Sequence, residues 1–159
     1  VQVEHPVTEL VTGLDIIKEQ IRIAAGEKLS VTQKDIKLTG HAIECRINAE
    51  DPDRGFLPCP GTIDNLHFPG GNGVRMDTHV YQGYRLPPNY DSMIAKLIVH
   101  GKDREEAVRK LRSALGETLV EGIITNVDFD YEIVSSPAFM KGNIDTGFIQ
   151  KHFPRYTRK

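Results

Sequence analysis

Apolar and polar residues alternate without a break from His41 to Asn48, with His41, Ile43, Cys45 and Ile47 on one side and Ala42, Glu44, Arg46 and Asn48 on the other. A period of two puts every second side chain on one face of an extended chain, so the segment is predicted as a half-buried strand. From Met93 to Val99 only Lys96 breaks an apolar run, the pattern of a central strand covered on both faces. A helical period links Leu14, Ile17, Ile21 and Ala24. It predicts an amphipathic helix packed on a core and closed by a left-handed cap at Gly26. Asp103 can cap a second helix with Glu106 as its capping-box partner. Glu105/Arg109 and Glu106/Lys110 then form ion pairs one turn apart, and Ala107, Val108, Leu111, Ala114 and Leu115 form the buried stripe. A last helix is expected from near Thr125, carrying Phe129 and Ile133 and ending before Pro137.

Shorter patterns fill the gaps. Val1 to Glu4 alternate like the end of a strand that Pro6 stops, with a turn or short helical piece at 7–13. Strands are expected at 62–68 and 74–80, with Pro69-Gly70-Gly71-Asn72-Gly73 as a hairpin turn between them. The segment Asp51 to Gly61 is dense in turn residues and reads as a loop. Polar residues from Ser30 to Lys37 mark an internal boundary, and strands followed by late helices give an α+β fold.

Charge removes some function classes. The 159 residues carry 20 Lys and Arg against 22 Asp and Glu, a net charge of −2, with no basic footprint for nucleic acid or anionic lipid. No apolar run approaches the ~20 residues of a membrane span. Cys45 and Cys59 are expected as free thiols in a reducing compartment, Cys45 buried and inert. His41 and Cys45 share a strand face, but no further ligands complete a metal set, and no metal is expected. The start at Val1 rather than Met leads us to expect a piece of something larger.

Three groups of residues invite chemistry. Gln2 and Glu4, two apart on the expected strand, aim an amide and a carboxylate at one place with the Val3 carbonyl between them. Such a pair can bind and deprotonate a small oxyacid, or it can be a polar strand face in water. Arg46, between Glu44 and Asn48 on the polar face, offers a fork of donors to an oxyanion, or makes a solvent-facing ion pair worth at most about 1 kcal/mol. The glycines at 70–73 match no phosphate-binding pattern, and Tyr81, Tyr84 and Tyr90 read as loop packing.

Several longer stretches carry a resemblance. Val1-Gln2-Val3-Glu4-His5-Pro6-Val7-Thr8-Glu9 and Gly40 to Pro52 resemble biotin carboxylases. Phe56-Leu57-Pro58, Pro60-Gly61, Tyr90 to Ile98 and Gly122-Ile123-Ile124-Thr125-Asn126 continue the likeness in order, up to about Phe148. It implies the edge of an ATP-grasp domain over 1–32, then a mainly antiparallel sheet domain with late packed helices over 40–150, the biotin carboxylase C-terminal domain. A basic, poorly ordered tail is expected at 151–159.

The implied activity is that of an ATP-dependent ligase that uses ATP and bicarbonate to carboxylate biotin. By this resemblance Glu4 deprotonates bicarbonate, Gln2 and the backbone of Val3 hold it, and carboxyphosphate forms and breaks down to carbon dioxide and phosphate. Arg46 then steadies the enolate-like oxygen of biotin, Asp91 lies near the biotin site, and Arg75 makes a dimer contact. ATP, Mg2+ or Mn2+, and biotin are the implied cofactors of the intact enzyme. The lid, nucleotide and metal residues are implied to lie upstream, so the isolated chain is expected to bind none of these cofactors and to be inactive. Implied partners are that upstream region, a biotinylated carrier domain, a carboxyltransferase and a second copy as homodimer. The parent is expected to be an acetyl-CoA carboxylase of fatty acid biosynthesis in the cytoplasm, the mitochondrial matrix being the alternative. A propionyl-CoA, pyruvate or urea carboxylase is the alternative parent that the resemblance allows. A non-catalytic dimerisation or assembly module is the competing reading.

Overall fold

The computed structural model describes residues 1–157. In chain order the elements are helices α1 (His5–Thr12) and α2 (Ile16–Ala24), and strands β1 (His41–Asn48), β2 (Glu50–Asp51), β3 (Leu57–Pro58), β4 (Gly61–Thr62), β5 (Asn65–His67), β6 (Val74–Thr78), β7 (Arg85–Leu86) and β8 (Met93–Gly101). Helix α3 (Arg104–Glu117), strand β9 (Leu119–Glu121) and helices α4 (Val127–Ser135), α5 (Pro137–Lys141) and α6 (Phe148–His152) complete it. The result is α+β, as the pattern of strands and late helices implies.

The apolar run at 93–99 takes the centre of an antiparallel sheet in the order β1-β8-β6. Its two faces differ. One carries the rows Ile43–Val99–Val74 and Cys45–Leu97–Met76 and packs with α3, whose expected stripe of Ala107, Val108, Leu111, Ala114 and Leu115 is buried. The other carries Arg46–Lys96–Asp77 and Glu44–Ile98–Arg75, with α1 against it. Gly40 has φ of +71°, and a Cβ there would lie 2.3 Å from the Gly101 carbonyl oxygen, so a side chain would break the start of β1. Asp103 caps α3 through the Glu106 amide at 2.9 Å. The Glu106 carboxylate accepts from the Lys102 amide and pairs with Lys110.

Four expectations need correction. Residues 1–4 are not a strand: no strand among the described residues pairs with them, and Pro6, whose fixed φ suits a first helical turn, starts α1 at His5 instead. Helix α2 forms and closes near Gly26, but its apolar side is not packed. Ile17, Ile21 and Ile23 are 36%, 65% and 51% exposed, while Glu19 is buried on Ser30 and Arg22. Pro69–Gly73 turns the chain without making a hairpin, because β5 pairs with β9 and β6 with β8. Tyr84 packs edge-on against His79 and Tyr81, but Tyr90 is 81% exposed.

The expected tail also differs. Residues 148–152 form α6, and Phe148, Phe153 and Tyr156 bury themselves with Phe129, on which Phe56 stands edge-on at 5.1 Å. Residues 158 and 159 of that tail lie outside the described residues. On the core side of β1, Cys45 Sγ donates to Asp130 Oδ2 on α4 at 3.1 Å, and burial pushes the thiol well up, which leaves it inert. Both cysteines are free.

Burial, the largest cause, also pushes Asp130 up to about 7. A carboxyl raised from its ordinary value near ~3.9 holds more proton in the folded than in the unfolded chain, so stability falls as pH rises between about 4 and 7. Urea midpoints are expected to be lower at pH 8 than at pH 5. Asp130→Asn should remove most of that difference, and an unchanged pH dependence would exclude Asp130 as its source.

Candidate functional site

The face of the sheet away from α3 carries alternating charges because a period of two sends Glu44, Arg46, Lys96, Arg75 and Asp77 to the same side. Cross-strand register then makes Arg46, Lys96 and Asp77 direct neighbours. The segment before α1 meets this face. Arg46 Nη2 donates to Glu4 Oε2 at 3.1 Å, with the two side chains 51% and 55% exposed. Lys96 Nζ donates to the Val3 carbonyl at 3.1 Å and lies 3.4 Å from Asp77 Oδ2. Arg75 grips Asp77 with two parallel bonds of 2.8 and 2.9 Å and donates to Glu9 Oε2 at 2.7 Å. The other oxygen of Glu9 accepts from the Ile16 amide.

The backbone at Gln2–Val3 is directed by these contacts. The Gln2 carbonyl accepts from the His5 amide at 3.3 Å and from His5 Nδ1 at 2.8 Å. In a trans peptide the N–H points opposite to the carbonyl, so the Val3 amide faces away from His5. It has no backbone partner among the described residues. With the Val3 carbonyl taken by Lys96, the group left open to an anion is a donor, beside a carboxylate and a guanidinium.

Electrostatics divide the carboxylates. The fork from Arg75, aided by Lys96, holds Asp77 below its usual range, so it stays a charged anchor. Burial pushes Glu44 up, against the pull of Lys96 and Arg46, and its Oε2 is buried without a hydrogen-bond partner among the described residues. The strand bearing Arg46 is pinned from behind by buried Asn126, whose side chain donates to the Arg46 carbonyl at 2.9 Å and accepts from the Asn48 amide at 2.7 Å. The regular pairing of β1 with β8 shifts between Ile47 and Asn48.

Of the residues singled out in the sequence, Glu4, Arg46 and the backbone of Val3 come together; Gln2 is tied in only through its carbonyl, held by His5, and with residues 1–4 outside any strand its side chain does not share a strand face with Glu4. Arg75 lies two residues along β6 from Asp77 and joins them through it. Asp91 does not: it accepts from the Met93 amide at 2.8 Å and lines a separate cavity of about 230 Å³ with Pro58, Pro87, Pro88 and Ser92. Five residues, at most about 18 Å of chain, separate it from Lys96. Sequence reasoning missed Lys96, Asp77, Glu9 and Asn126. Three of them left a signal: Lys96 is a lone charge inside an apolar strand, Asp77 a second charge on β6, and Asn126 a polar residue ahead of a helix.

The fold that carries this cluster, a three-stranded antiparallel sheet with α1 over its charged face, superposes on biotin carboxylase domains in solved structures. One is the dimer of that domain from the 2-oxoglutarate carboxylase of Hydrogenobacter thermophilus, in complex with MgADP, ADP and bicarbonate. It superposes with a TM-score of 0.95 at 46% identity, over 100% of this chain and 35% of that one. Another, the biotin carboxylase subunit of pyruvate carboxylase, has a TM-score of 0.95 at 43% identity, over 100% of this chain and 35% of that one. The chain belongs to the biotin carboxylase C-terminal domain family, whose model matches residues 44–151. Residues 1–32 match the ATP binding domain of the carbamoyl-phosphate synthase L chain. Among curated relatives, the biotin carboxylase of Pseudomonas aeruginosa is 54% identical over 95% of this chain and 33% of its own length. A pyruvate carboxylase component from Methanothermobacter thermautotrophicus is 52% identical over 96% and 31%. The chain thus spans about a third of the length of these relatives.

Proposed function

We propose that this chain supplies the proton-accepting and oxyanion-stabilising part of a biotin carboxylase, which uses ATP and bicarbonate to carboxylate biotin. The observation that carries the reading is the Glu4–Arg46 pair at 3.1 Å beside the open Val3 amide. Val3 N–H and the Gln2 side chain hold bicarbonate, Glu4 takes its proton, and Arg46, with donors beyond the one given to Glu4, steadies a developing oxygen anion. When bound, ATP supplies the phosphoryl group that activates bicarbonate. No group of three or more His, Cys, Asp or Glu among the described residues is arranged to hold a metal ion. In this reading the upstream region of the enzyme, by the resemblance, holds the divalent ion.

The two family matches support a division into an ATP-grasp edge at 1–32 and a C-terminal domain from about 40. Asp91 is proposed to act only at the margin of the biotin site, given its separate cavity. The dimer seen in the Hydrogenobacter thermophilus domain supports a homodimer here, with Arg75 near the contact. A biotinylated carrier domain and a carboxyltransferase follow from the reading as partners. Acetyl-CoA carboxylase is our proposed parent. Relatives named simply as biotin carboxylase match, and so do components of pyruvate and 2-oxoglutarate carboxylases. The relatives from Pseudomonas aeruginosa and Methanothermobacter thermautotrophicus favour the cytoplasm over the mitochondrial matrix, and no described helix is long and apolar enough to cross a membrane.

The test is phosphate release from ATP with bicarbonate, with and without free biotin, by the full-length polypeptide that carries this sequence. Stimulation by biotin that falls at least tenfold in Arg46→Ala, about 1.4 kcal/mol of barrier, is expected. Activity indifferent to biotin and to the loss of Arg46 would favour an assembly module instead.

A further inference from the structure

Lys96 is the one charge in the apolar central strand, and its side chain is only 13% exposed. Burying an ammonium is costly unless it is paired and hydrogen-bonded, so its partners define what it does there. They are two: the Asp77 carboxylate and the Val3 carbonyl. Asp77 is in turn fixed by the two-bond fork of Arg75, and Arg75 by Glu9 on α1. The network therefore runs from the first helix through β6 and β8 and ends on a single backbone oxygen, 93 residues away in sequence from the lysine that holds it.

We infer that Lys96 is a positioning residue for bicarbonate. It holds the Val3 carbonyl so that the Val3 amide and the Glu4 carboxylate face the anion, and Asp77 holds Lys96. This rests on the biotin carboxylase reading of the site. A bond to the carbonyl turns the Val3–Glu4 peptide, while His5 turns the Gln2–Val3 peptide from the other side, so both planes that frame the anion are set. The ammonium also adds positive charge beside a group that must receive an anion. Asp77 balances that charge in the free protein.

The experiment measures kcat and both KM values in the full-length polypeptide. Lys96→Met keeps the apolar stem and removes the donor. It is expected to raise the KM for bicarbonate at least tenfold while the KM for ATP stays within twofold. Lys96→Arg restores charge and donors and should recover most of the loss, which a role in packing alone would not predict. Asp77→Asn frees Lys96 without removing it and should give a smaller rise. An unchanged bicarbonate KM in Lys96→Met, or equal defects in the Met and Arg variants, overturns the inference. If Lys96→Met does not fold, Asp77→Asn decides, and an unchanged bicarbonate KM there overturns it. Glu4→Gln separates the two levels. If it leaves cleavage intact the site reading itself fails, whereas its loss beside an unmoved bicarbonate KM in Lys96→Met removes only the role of Lys96.

Discussion

Glu4→Gln lowers bicarbonate- and biotin-dependent ATP cleavage by about a hundredfold or more, equal to about 2.7 kcal/mol of barrier. The substitution is chosen because it changes little else. Glutamine has the same length, and its amide oxygen can still accept from Arg46 Nη2, so the 3.1 Å contact that ties the segment before α1 to β1 is kept. What it cannot do is take a proton. The defect should therefore fall on kcat and leave the KM for ATP and the thermal midpoint near the parent values. Glu4 is half exposed, so no folding penalty is expected from the change. Full activity in Glu4→Gln would leave the carboxylate as an ion-pair partner and nothing more.

Leu97→Ala tests the scaffold under the site. Leu97 is fully buried at the middle of β8, between Cys45 on β1 and Met76 on β6, in the layer that faces α3. Removing a buried leucine loses its transfer energy and leaves a cavity, about 2–5 kcal/mol together. Against a total of about 5–15 kcal/mol, this takes away a large share of the stability. Urea denaturation should show a much lower midpoint with an unchanged slope. Tyr90→Ala, at a side chain 81% exposed, should change the stability by less than about 0.5 kcal/mol. A Leu97 variant as stable as the parent would mean that the sheet and α3 are not the core.

The large elements were legible because each carries its own period. Strand β1 alternates over eight residues, and α3 repeats its stripe over nine, from Ala107 to Leu115, so neither needs a distant partner to be recognised. The small strands carry two or three residues each, too few for any period, and their pairing is long-range: β4 with β7, β5 with β9. That is why Pro69–Gly73 reads as a hairpin in the sequence and does not make one. Val1 to Glu4 alternates over only four residues, which a proline-started helix overrides. The C-terminal aromatics were passed over because Phe148, Phe153 and Tyr156 lie among basic residues and meet Phe129 only through tertiary packing.

The site divides in the same way. Glu4 and Arg46 were found because carboxylate and guanidinium have recognisable chemistry, and the resemblance gave them roles. Lys96 looked like a flaw in an apolar run, since its meaning depends on Asp77 and Val3, brought to it by sheet register and by the turn into α1.

Strands β1 and β8 pair through residues that lie 45 to 60 positions apart, from Asn48 with Met93 to His41 with Gly101. Closing a loop of that size costs chain entropy before any cross-strand contact repays it, and such non-local pairing slows folding. The consequence is kinetic. Until that closure Arg46 and Lys96 are strangers on an unfolded chain, and once the ladder zips they stand side by side. Refolding followed by the burial of the sheet and refolding followed by the return of catalysis in the intact enzyme should then share one rate-limiting event, with no slower step of site assembly after it.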